Sequence, residues 1–453
     1  MPLFTRETPA IPVRGIHLDL KGLPPTTERL LQLPQLLAAC RINCVLVEWE
    51  DTYPWHCYEE LRCETAYSDE TIAAFLKACA DVCIEVIPLL QSFGHMQNVL
   101  VHDRFAHLRE VEGGTADVCP SKSGSVALVV EMIDDILESH RGITRIHLGG
   151  DEVGSLGSCD ECRKVVESEG KDGLYLKHIG PLLEHVVSHG VRPILWDDMM
   201  REWPEGALSE LGDRADLMCW AYRANPFERV TPEVMDRFAR AGVTMWAASA
   251  FKGADGCDVD VPKPEVRRAN MAAWVREAAA RSMAGVVATG WSRYTTFLVP
   301  CEGLEASVDM VALAGAVSWD GAADCVSDEE IDSLLTRGPC AELAGERFIA
   351  CRTASRQLGE WHGSEWPFRH LLNHAAVAGE PERLDRAELR GLLNRERQYI
   401  ADGVRLTEAW KRAHAGLVEN VWIDRYCAAR LNRARAVIEP WLARTEEELR
   451  DRV

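Results

Sequence analysis

The sequence is poor in positive charge. Its 453 residues contain 50 Lys and Arg against 71 Asp and Glu, which gives a formal net charge of -21. Surfaces that bind nucleic acid or anionic membranes need clustered Lys and Arg. We therefore expect neither nucleic acid nor a membrane among the partners of this protein.

Long apolar runs are absent as well. No stretch reaches the roughly 18 uninterrupted apolar residues of a membrane span, and the start, MPLFTRETPAIPVRG, lacks the apolar segment of a secretory signal. The 16 cysteines are scattered from Cys40 to Cys427, which is typical of reduced thiols inside the cell. We expect a soluble cytoplasmic protein.

Clustered metal ligands are scarce in the sequence. One cysteine pair has ligand spacing, Cys159 and Cys162 in GSCDECRK. A structural zinc site needs four ligands, and no second close pair occurs. This favours free thiols at a loop or helix start, and we expect no metal and no cofactor.

Eight short apolar segments recur along the first 300 residues, without the strict alternation of a half-exposed sheet. Such runs suit parallel strands that are covered on both faces. Segments of helical period lie between several of them, as in SDETIAAFLKACADV. The segments are VRGIHLDL (13–20), INCVLVEW (42–49), IEVIPLL (84–90), ITRIHLG (143–149), VRPILWDD (191–198), ADLMCWAY (215–222), GVTMWAAS (242–249) and AGVVATGW (284–291).

Eight strands alternating with helices predict a (β/α)8 TIM barrel of the α/β class. The competing fold is a doubly wound open sheet, but no Gly-rich phosphate fingerprint follows the first strand. After about residue 335 the chain turns rich in Ala, Leu, Arg and Glu with helical periodicity only. We expect a catalytic barrel over 1–335 and a C-terminal α-helical domain over 336–453.

Functional groups of a TIM barrel project from the carboxyl ends of its strands. Tryptophan is concentrated at the predicted strand ends, and carboxylates accompany it. Trp faces stack on the C–H face of a pyranose, while carboxylates and Arg bond its hydroxyls. For any single Trp, packing at the top of the barrel is the favoured explanation, but the set as a whole favours a sugar pocket. The strand-end groups are Asp19, Lys21, Glu48, Trp49, Glu50, Asp51, Gln91, His95, Asp151, Glu152, Trp196, Asp197, Asp198, Trp220, Tyr222, Trp246, Trp291, Arg293 and Tyr294.

Two adjacent carboxylates, Asp151 and Glu152, follow the fourth predicted strand in ITRIHLGGDEV. Glycoside hydrolysis generally needs one protonated carboxyl group and one negative group. Burial and mutual repulsion would raise one pKa of the pair, so we expect a protonated Glu152 near neutral pH. The plain alternative is a solvated loop pair.

The stretch IHLGGDEV resembles the H-x-G-G-D-E signature of glycoside hydrolase family 20, the β-N-acetylhexosaminidases. RGIHLD, residues 14–19, resembles the R-G-x-x-L-D of that family's first strand. PLLQSFGH, residues 88–95, corresponds to its P-E-x-D-x-P-G-H, with Leu89 and Gln91 in place of acidic residues. HLDLKG, WDDM, SAFKGA and TGWSRY are similar to stretches of the cytoplasmic hexosaminidase D subgroup, over about residues 12 to 300.

The resemblance implies an exo-acting enzyme that removes terminal GlcNAc or GalNAc with retention, the substrate's own 2-acetamido group being the nucleophile. Glu152 would be the general acid and later the base. Asp151 would hold and polarise the acetamido group, and Tyr222 would hydrogen-bond its oxygen. The remaining implied substrate contacts are Arg14 on the ring's 3- and 4-hydroxyls, His95 as a support, and Trp196, Trp220, Trp246 and Trp291 as pocket walls.

The sequence departs from the family at the eighth strand. Many members have a W-x-E there, whereas Ser292 and Arg293 follow Trp291. Glu302, in the next loop, could take the place of that Glu, and the choice between GlcNAc and GalNAc stays open. Because related intracellular enzymes include dimers, a homodimer that uses the C-terminal helices is a further expectation by resemblance.

Two other functions compete with this interpretation. A metal-dependent barrel hydrolase would use His17, His95, His147, Asp151 and Asp197 as ligands, but the H-x-H pair that opens such sites is absent. A sugar-binding barrel without catalysis would keep the pocket alone, although both carboxylates of the D-E pair are present.

Overall fold

Eight parallel strands form a closed barrel in chain order. The computed structural model describes residues 3–256, 259–293, 295, 298–321, 326–363 and 385–451. The predicted α/β TIM barrel is confirmed. Seven of the eight apolar segments contain a whole strand, and the seventh in chain order contains the start of β7, which continues to Lys252. The strands are β1 (Arg14–Asp19), β2 (Cys44–Glu48), β3 (Glu85–Leu89), β4 (Arg145–His147), β5 (Arg192–Trp196), β6 (Asp216–Trp220), β7 (Met245–Lys252) and β8 (Val286–Gly290).

The barrel closes where β1 pairs with β8, Arg14 opposite Val286. Closure leaves no sheet edge. The surrounding helices bury the outer face of the strands and the packed interior buries the inner face, which explains their continuous apolar sequences. Inside, side chains from alternate strands fill the barrel as a packed core. This inner cluster consists of Cys44, Leu46, Ile87, Leu89, Ile194, Trp196, Met218, Trp246, Ala248 and Val287.

Helices connect the strands and surround the barrel. Thr26 and Ser68 accept hydrogen bonds from Arg29 N and Thr71 N at two helix starts, as helix caps do. The helices of this part are α1 (Thr27–Ala39), α2 (Asp69–Asp81), α3 (Gln97–Leu100), α4 (Ser125–Ser139), α5 (Asp160–Ser188), α6 (Glu205–Gly212), α7 (Pro232–Arg240), α8 (Pro264–Arg281), α9 (Val308–Asp320) and α10 (Asp328–Thr336).

The C-terminal region is helical, as expected. The helices among its described residues are α11 (Gly345–Gly363), α12 (Arg386–His414) and α13 (Asn420–Asp451). A second apolar cluster lies among these helices, with Trp361, Trp410 and Tyr426 at its centre. Residues 364–384 lie outside the described chain. The division at residue 335 stays a prediction, since α10 packs in the main cluster through Ile331 and Leu335.

No helix among the described residues is both long enough and apolar enough to cross a membrane.

A buried ion pair joins the C-terminal helices to the barrel. Arg430 of α13 bonds Asp260, which precedes α8, and both side chains are almost fully buried. Tyr426 also bonds Asp260, and the Arg430 guanidinium lies 3.4 Å from the Tyr426 ring centroid. Removing one partner of such a pair leaves an uncompensated buried charge.

Arg430→Ala should therefore lower the free energy of unfolding by about 3–5 kcal/mol. Arg425→Ala is the matched control on the same helix, because Arg425 bonds Glu64 while half exposed and such pairs contribute at most about 1 kcal/mol. Urea denaturation of the purified variants measures both. Equal losses for the two variants would contradict the importance of the buried pair.

Candidate active site

A cavity of about 270 Å³ opens at the carboxyl ends of the strands. We call it the mouth cavity. The predicted carboxylates, one predicted His and three predicted aromatic residues line it, together with charged residues for which the sequence analysis assigned no role. Its lining is Lys21, Glu48, Glu50, Gln91, His95, Gln97, Asp151, Glu152, Trp220, Tyr222, Gly253, Ala254, Trp291, Arg293 and Thr295.

Two glycines turn the chain after β4 so that both carboxylates reach the mouth cavity. Gly149 and Gly150 have φ of 61° and 81°, a region that residues with a Cβ rarely adopt. A Cβ on Gly149 would lie 2.3 Å from Gln91 Oε1, and one on Gly150 would lie 2.4 Å from the Tyr175 hydroxyl. The turn therefore depends on glycine for both conformation and space.

Asp151 and Glu152 both face His95. His95 Nε2 lies 3.5 Å from Asp151 Oδ2 and 3.5 Å from Glu152 Oε2. The Asp151 side chain is 8% exposed, whereas that of Glu152 is 57% exposed. Glu152 has φ of 46°, and its backbone N–H donates to Asp198 Oδ2 at 3.0 Å. The two carboxylates thus lie on one turn but in different environments.

The charge state of Glu152 differs from the sequence expectation. The hydrogen-bonding contact with His95 lowers the pKa of Glu152. Burial opposes the charge on His95, but Asp151 and Glu152 raise the His95 pKa well above its ordinary value. Repulsion from Asp151 therefore does not keep Glu152 protonated, because an imidazolium lies between the two carboxylates.

Three of the four predicted tryptophan walls lie at or next to the mouth cavity. Trp220 and Trp291 line it, and the Tyr222 ring lies 5.2 Å from that of Trp220. Burial raises the pKa of Tyr222, so its hydroxyl keeps its proton and can donate. Trp196 is fully buried behind Trp291, with ring centroids 6.0 Å apart.

Arg14 and Trp246 lie at the opposite end of the barrel. Arg14 is the first residue of β1, and its guanidinium donates to the backbone carbonyls of Arg41, Ile11 and Pro12. Trp246 is the second residue of β7, and its indole N–H donates to Asp216 Oδ2 at 3.0 Å. The substrate contacts expected of both are wrong, because a strand separates each of them from the mouth cavity.

Glu302 supports the cavity wall from behind. It is fully buried, and Oε1 accepts a hydrogen bond from Gly253 N at 2.7 Å. Burial raises its pKa. Gly253 lines the mouth cavity and Glu302 does not. The expected direct contact of Glu302 with a sugar hydroxyl therefore does not match its position.

A buried charge network forms the floor of the mouth cavity. Lys21 Nζ lies 3.0 Å from Asp19 and 2.9 Å from Glu48. Burial alone would lower the pKa of Lys21, but these carboxylates raise it, so Lys21 is charged. In the sequence these residues are recognisable only as polar groups at strand ends, and no pattern indicates their mutual pairing. Tyr294, another predicted strand-end group, lies outside the described residues.

Comparisons with known proteins identify relatives of this chain. The glycosyl hydrolase family 20 catalytic domain matches residues 13–236. Hexosaminidase D of Homo sapiens is 37% identical over 352 residues, 74% of this chain and 72% of that protein. Hexosaminidase D of Bos taurus is 36% identical over 66% of this chain and 90% of its own length.

The chain belongs to glycosyl hydrolase family 20. It is a glycoside hydrolase of the family that contains the β-N-acetylhexosaminidases. The fold agrees with a solved chitobiase of Flavobacterium johnsoniae, with a TM-score of 0.56 and 14% identity, over 97% of this chain and 71% of that one.

A second charged group forms the rim of this family 20 site. Arg293 lies 2.9 Å from Asp51 and 3.9 Å from Glu50. Burial raises the pKa of Glu50 to about 7. The Trp422 ring of α13 stacks 4.9 Å from the Arg293 guanidinium. The C-terminal helices therefore contribute to the arrangement of the rim.

The metal-dependent alternative is not favoured by the positions of its histidines. His17 lies 3.3 Å from Glu48 beneath the cavity, and the His147 ring packs 4.3 Å from that of Trp196. Within the described ranges, the His and Asp residues proposed as ligands of such an enzyme do not come together as a ligand group.

His95→Asn should raise the pKa of Glu152, because the variant removes the cation that lowers it. Asn tolerates the positive φ of 56° that His95 adopts. The measurement is a pH titration of the Glu152 carboxyl resonance in protein labelled with 13C-glutamate, assigned with Glu152→Gln. His107→Asn, at an exposed residue, is the control and should leave the titration midpoint of the Glu152 carboxyl group unchanged. An unchanged midpoint in His95→Asn would show that the ion pair does not set this pKa.

Proposed function

We propose that the protein is an exo-acting β-N-acetylhexosaminidase that removes terminal, non-reducing GlcNAc or GalNAc with retention of configuration. The observation that carries the proposal is the different setting of its two carboxylates. Asp151 Oδ1 is buried and has no hydrogen-bond partner among the described residues, whereas half-exposed Glu152 faces the opening. Asp151 Oδ1 can therefore accept a hydrogen bond from a buried group of the substrate, and the Glu152 carboxyl group can contact the leaving group.

In this proposal Asp151 binds the substrate's 2-acetamido N–H through Oδ1. A buried unpaired carboxylate oxygen is costly, and an amide donor would satisfy it. The polarised acetamido oxygen then attacks the anomeric carbon, the glycosidic bond breaks, and an oxazolinium forms. Tyr222 donates its hydroxyl hydrogen to that oxygen and orients it. Only one acid-base residue is then needed, an exception to the scheme with two carboxylates.

Glu152 gives its proton to the departing oxygen and later removes one from the attacking water. Its pKa is low beside His95, so it must take up a proton before it acts as an acid. A sugar over the half-exposed carboxyl group would exclude water and raise its pKa. We propose that His95, 3.5 Å away, then supplies this proton.

The remaining walls fit a pyranose. Trp220 and Trp291 offer flat apolar faces, and rings of this kind stack on sugar C–H faces. Since Arg14 is at the other end of the barrel, we propose that Lys21 and Arg293 supply the positive charge near the hydroxyls. The negative groups that accept from hydroxyls would be Glu48 and Glu50. A comparison of kcat/KM on β-GlcNAc and β-GalNAc substrates would show which configuration at the fourth carbon of the sugar the enzyme prefers.

We also propose a cytoplasmic location and a homodimer. None of the described cysteines forms a disulfide, which supports a reducing compartment. The net charge of -21 supports neutral oligosaccharides rather than nucleic acid or anionic membranes as substrates. The dimer rests on the resemblance to intracellular enzymes of the family.

Glu152→Gln should reduce kcat on an N-acetylglucosaminide with an unactivated alcohol leaving group by about 10²- to 10⁴-fold, the usual contribution of a general acid. The loss should be smaller with 4-nitrophenolate, which leaves without a proton. Glu167→Gln, an exposed change on α5, is the control and should retain full rates. Undiminished turnover of both substrates by Glu152→Gln would refute the assigned role.

The 2-acetamido group should be indispensable. We expect hydrolysis of 4-nitrophenyl N-acetyl-β-glucosaminide and no measurable hydrolysis of the matching β-glucoside, because a 2-hydroxyl cannot close the ring. A thiazoline mimic of the intermediate should inhibit, and Asp151→Asn should weaken that inhibition. Comparable rates on the two glycosides would leave the enzyme class intact but eliminate the participation of the substrate.

A further inference from the structure

A group of sulfur and oxygen ligands lies next to the active-site loops. It consists of Glu110, Cys119, Cys159 and Cys162, with one ligand atom from each within 4.8 Å of all the others. The spacing of Cys159 and Cys162 predicted free thiols, because no second close pair of ligands occurs in the sequence. The fold supplies the other two from the segment between β3 and α4.

The distances between these atoms match a tetrahedron around zinc. Cys119 Sγ lies 3.7 Å from Cys159 Sγ and 3.5 Å from Cys162 Sγ. Cys162 Sγ lies 3.3 Å from Glu110 Oε2. Zn–S bonds of about 2.3 Å and Zn–O bonds of about 2.0 Å give tetrahedral edges of about 3.8 Å between sulfurs and about 3.5 Å between sulfur and oxygen. The four side chains need only small adjustments to bind one ion.

The buried negative charge of Glu110 also favours a bound cation. Glu110 is 4% exposed, and Cys119 and Cys162 are fully buried. Among the described residues Glu110 has no Lys, Arg or His in an ion pair; it accepts hydrogen bonds from Cys159 N and the Cys162 thiol. A buried carboxylate without a cation is costly, and thiolates with a carboxylate are suitable ligands for zinc.

A basic residue lies just outside the ligand group. Ser121 Oγ is 3.2 Å from Cys162 Sγ, and Lys177 Nζ is 3.3 Å from that hydroxyl. Three thiolates and a carboxylate around a divalent ion leave a net negative charge, which Lys177 would offset in part. Such outer contacts orient the ligands of metal sites.

We propose that Glu110, Cys119, Cys159 and Cys162 bind one structural Zn²⁺ ion. Four protein ligands leave no open position, so the ion is structural rather than catalytic. It would join the loop after β3, which carries His95, to the loop after β4, which carries Asp151 and Glu152. Asp117 reinforces the same junction, since its Oδ2 accepts from Ser155 N at 2.8 Å and from Ser155 Oγ at 2.6 Å.

The first test is the metal content of the full-length protein, expressed with added zinc, purified under reducing conditions and dialysed against metal-free buffer. Elemental analysis should find about one zinc ion per chain, and Cys119→Ala and Cys162→Ala should each lose it. Cys79→Ala is the control, because Cys79 is also a buried thiol but lies in α2. Metal-free wild-type protein, or equal zinc in Cys162→Ala and the control, would overturn the proposal.

The second test uses wild-type protein and does not depend on the folding of variants. Titration with a mercurial thiol reagent should release one zinc ion, detected with a chromogenic chelator, and removal of zinc should lower the melting temperature by several degrees. Cobalt-substituted protein should show the intense thiolate-to-cobalt absorption of a tetrahedral sulfur site. An intact mass lower by two hydrogens without reductant, with no zinc present, would indicate a disulfide instead and refute the site.

Discussion

The buried Lys21 is the group on which the arrangement of the mouth cavity depends. A charge removed from water is tolerated only with close partners, and Lys21 Nζ has two, Asp19 at 3.0 Å and Glu48 at 2.9 Å. Each partner binds a further strand end. Gln91 donates to Glu48 at 2.9 Å, and Ser292 N donates to Asp19 Oδ2 at 2.7 Å. The requirement to compensate one cation therefore fixes the ends of β1, β2, β3 and β8 relative to each other, and with them the floor under a bound sugar.

The need to compensate a buried cation also explains why the C-terminal helices, outside the barrel, influence the site. Arg293 follows β8 and pairs with Asp51, and Trp422 of α13 stacks on its guanidinium. The Trp422 indole N–H also donates to Thr65 Oγ1 at 2.9 Å, which ties α13 to the loop after β2. The rim of the cavity is thus held from outside the barrel, and Glu50, whose pKa is about 7, titrates within it. Changes in the C-terminal helices should reach the rim through Trp422 without passing through the barrel core.

The sequence was sufficient for the barrel and for the carboxylate pair, because both depend on local patterns. Apolar runs identify buried strands, and GGDE identifies the turn. The sequence was insufficient for predicting site residues whose role depends on their position along a strand. RGIHLD suggested Arg14 as a substrate contact, yet Arg14 is the first and Asp19 the last of the six residues of β1, and Asp19 is at the end that faces the mouth. The prediction that Trp246 contacts the substrate was wrong for the same reason, since Trp246 follows Met245 at the start of β7. The cysteine group was missed because Glu110 and Cys119 join Cys159 and Cys162 only through the packing of two loops.

The turn that carries Asp151 and Glu152 has little intrinsic preference for its observed shape. Glu152 adopts φ of 46°, which costs about 1 kcal/mol or more for a residue with a Cβ, and its side chain is half exposed. Its conformation must therefore be imposed by neighbours. Asp198 accepts its N–H, the Tyr175 hydroxyl donates to Gly150 O at 2.8 Å, and His95 faces its carboxylate. These contacts come from three separate segments of the chain. The position of the Glu152 side chain therefore depends on the packing between loops, and β4 only places the residue near the mouth of the barrel.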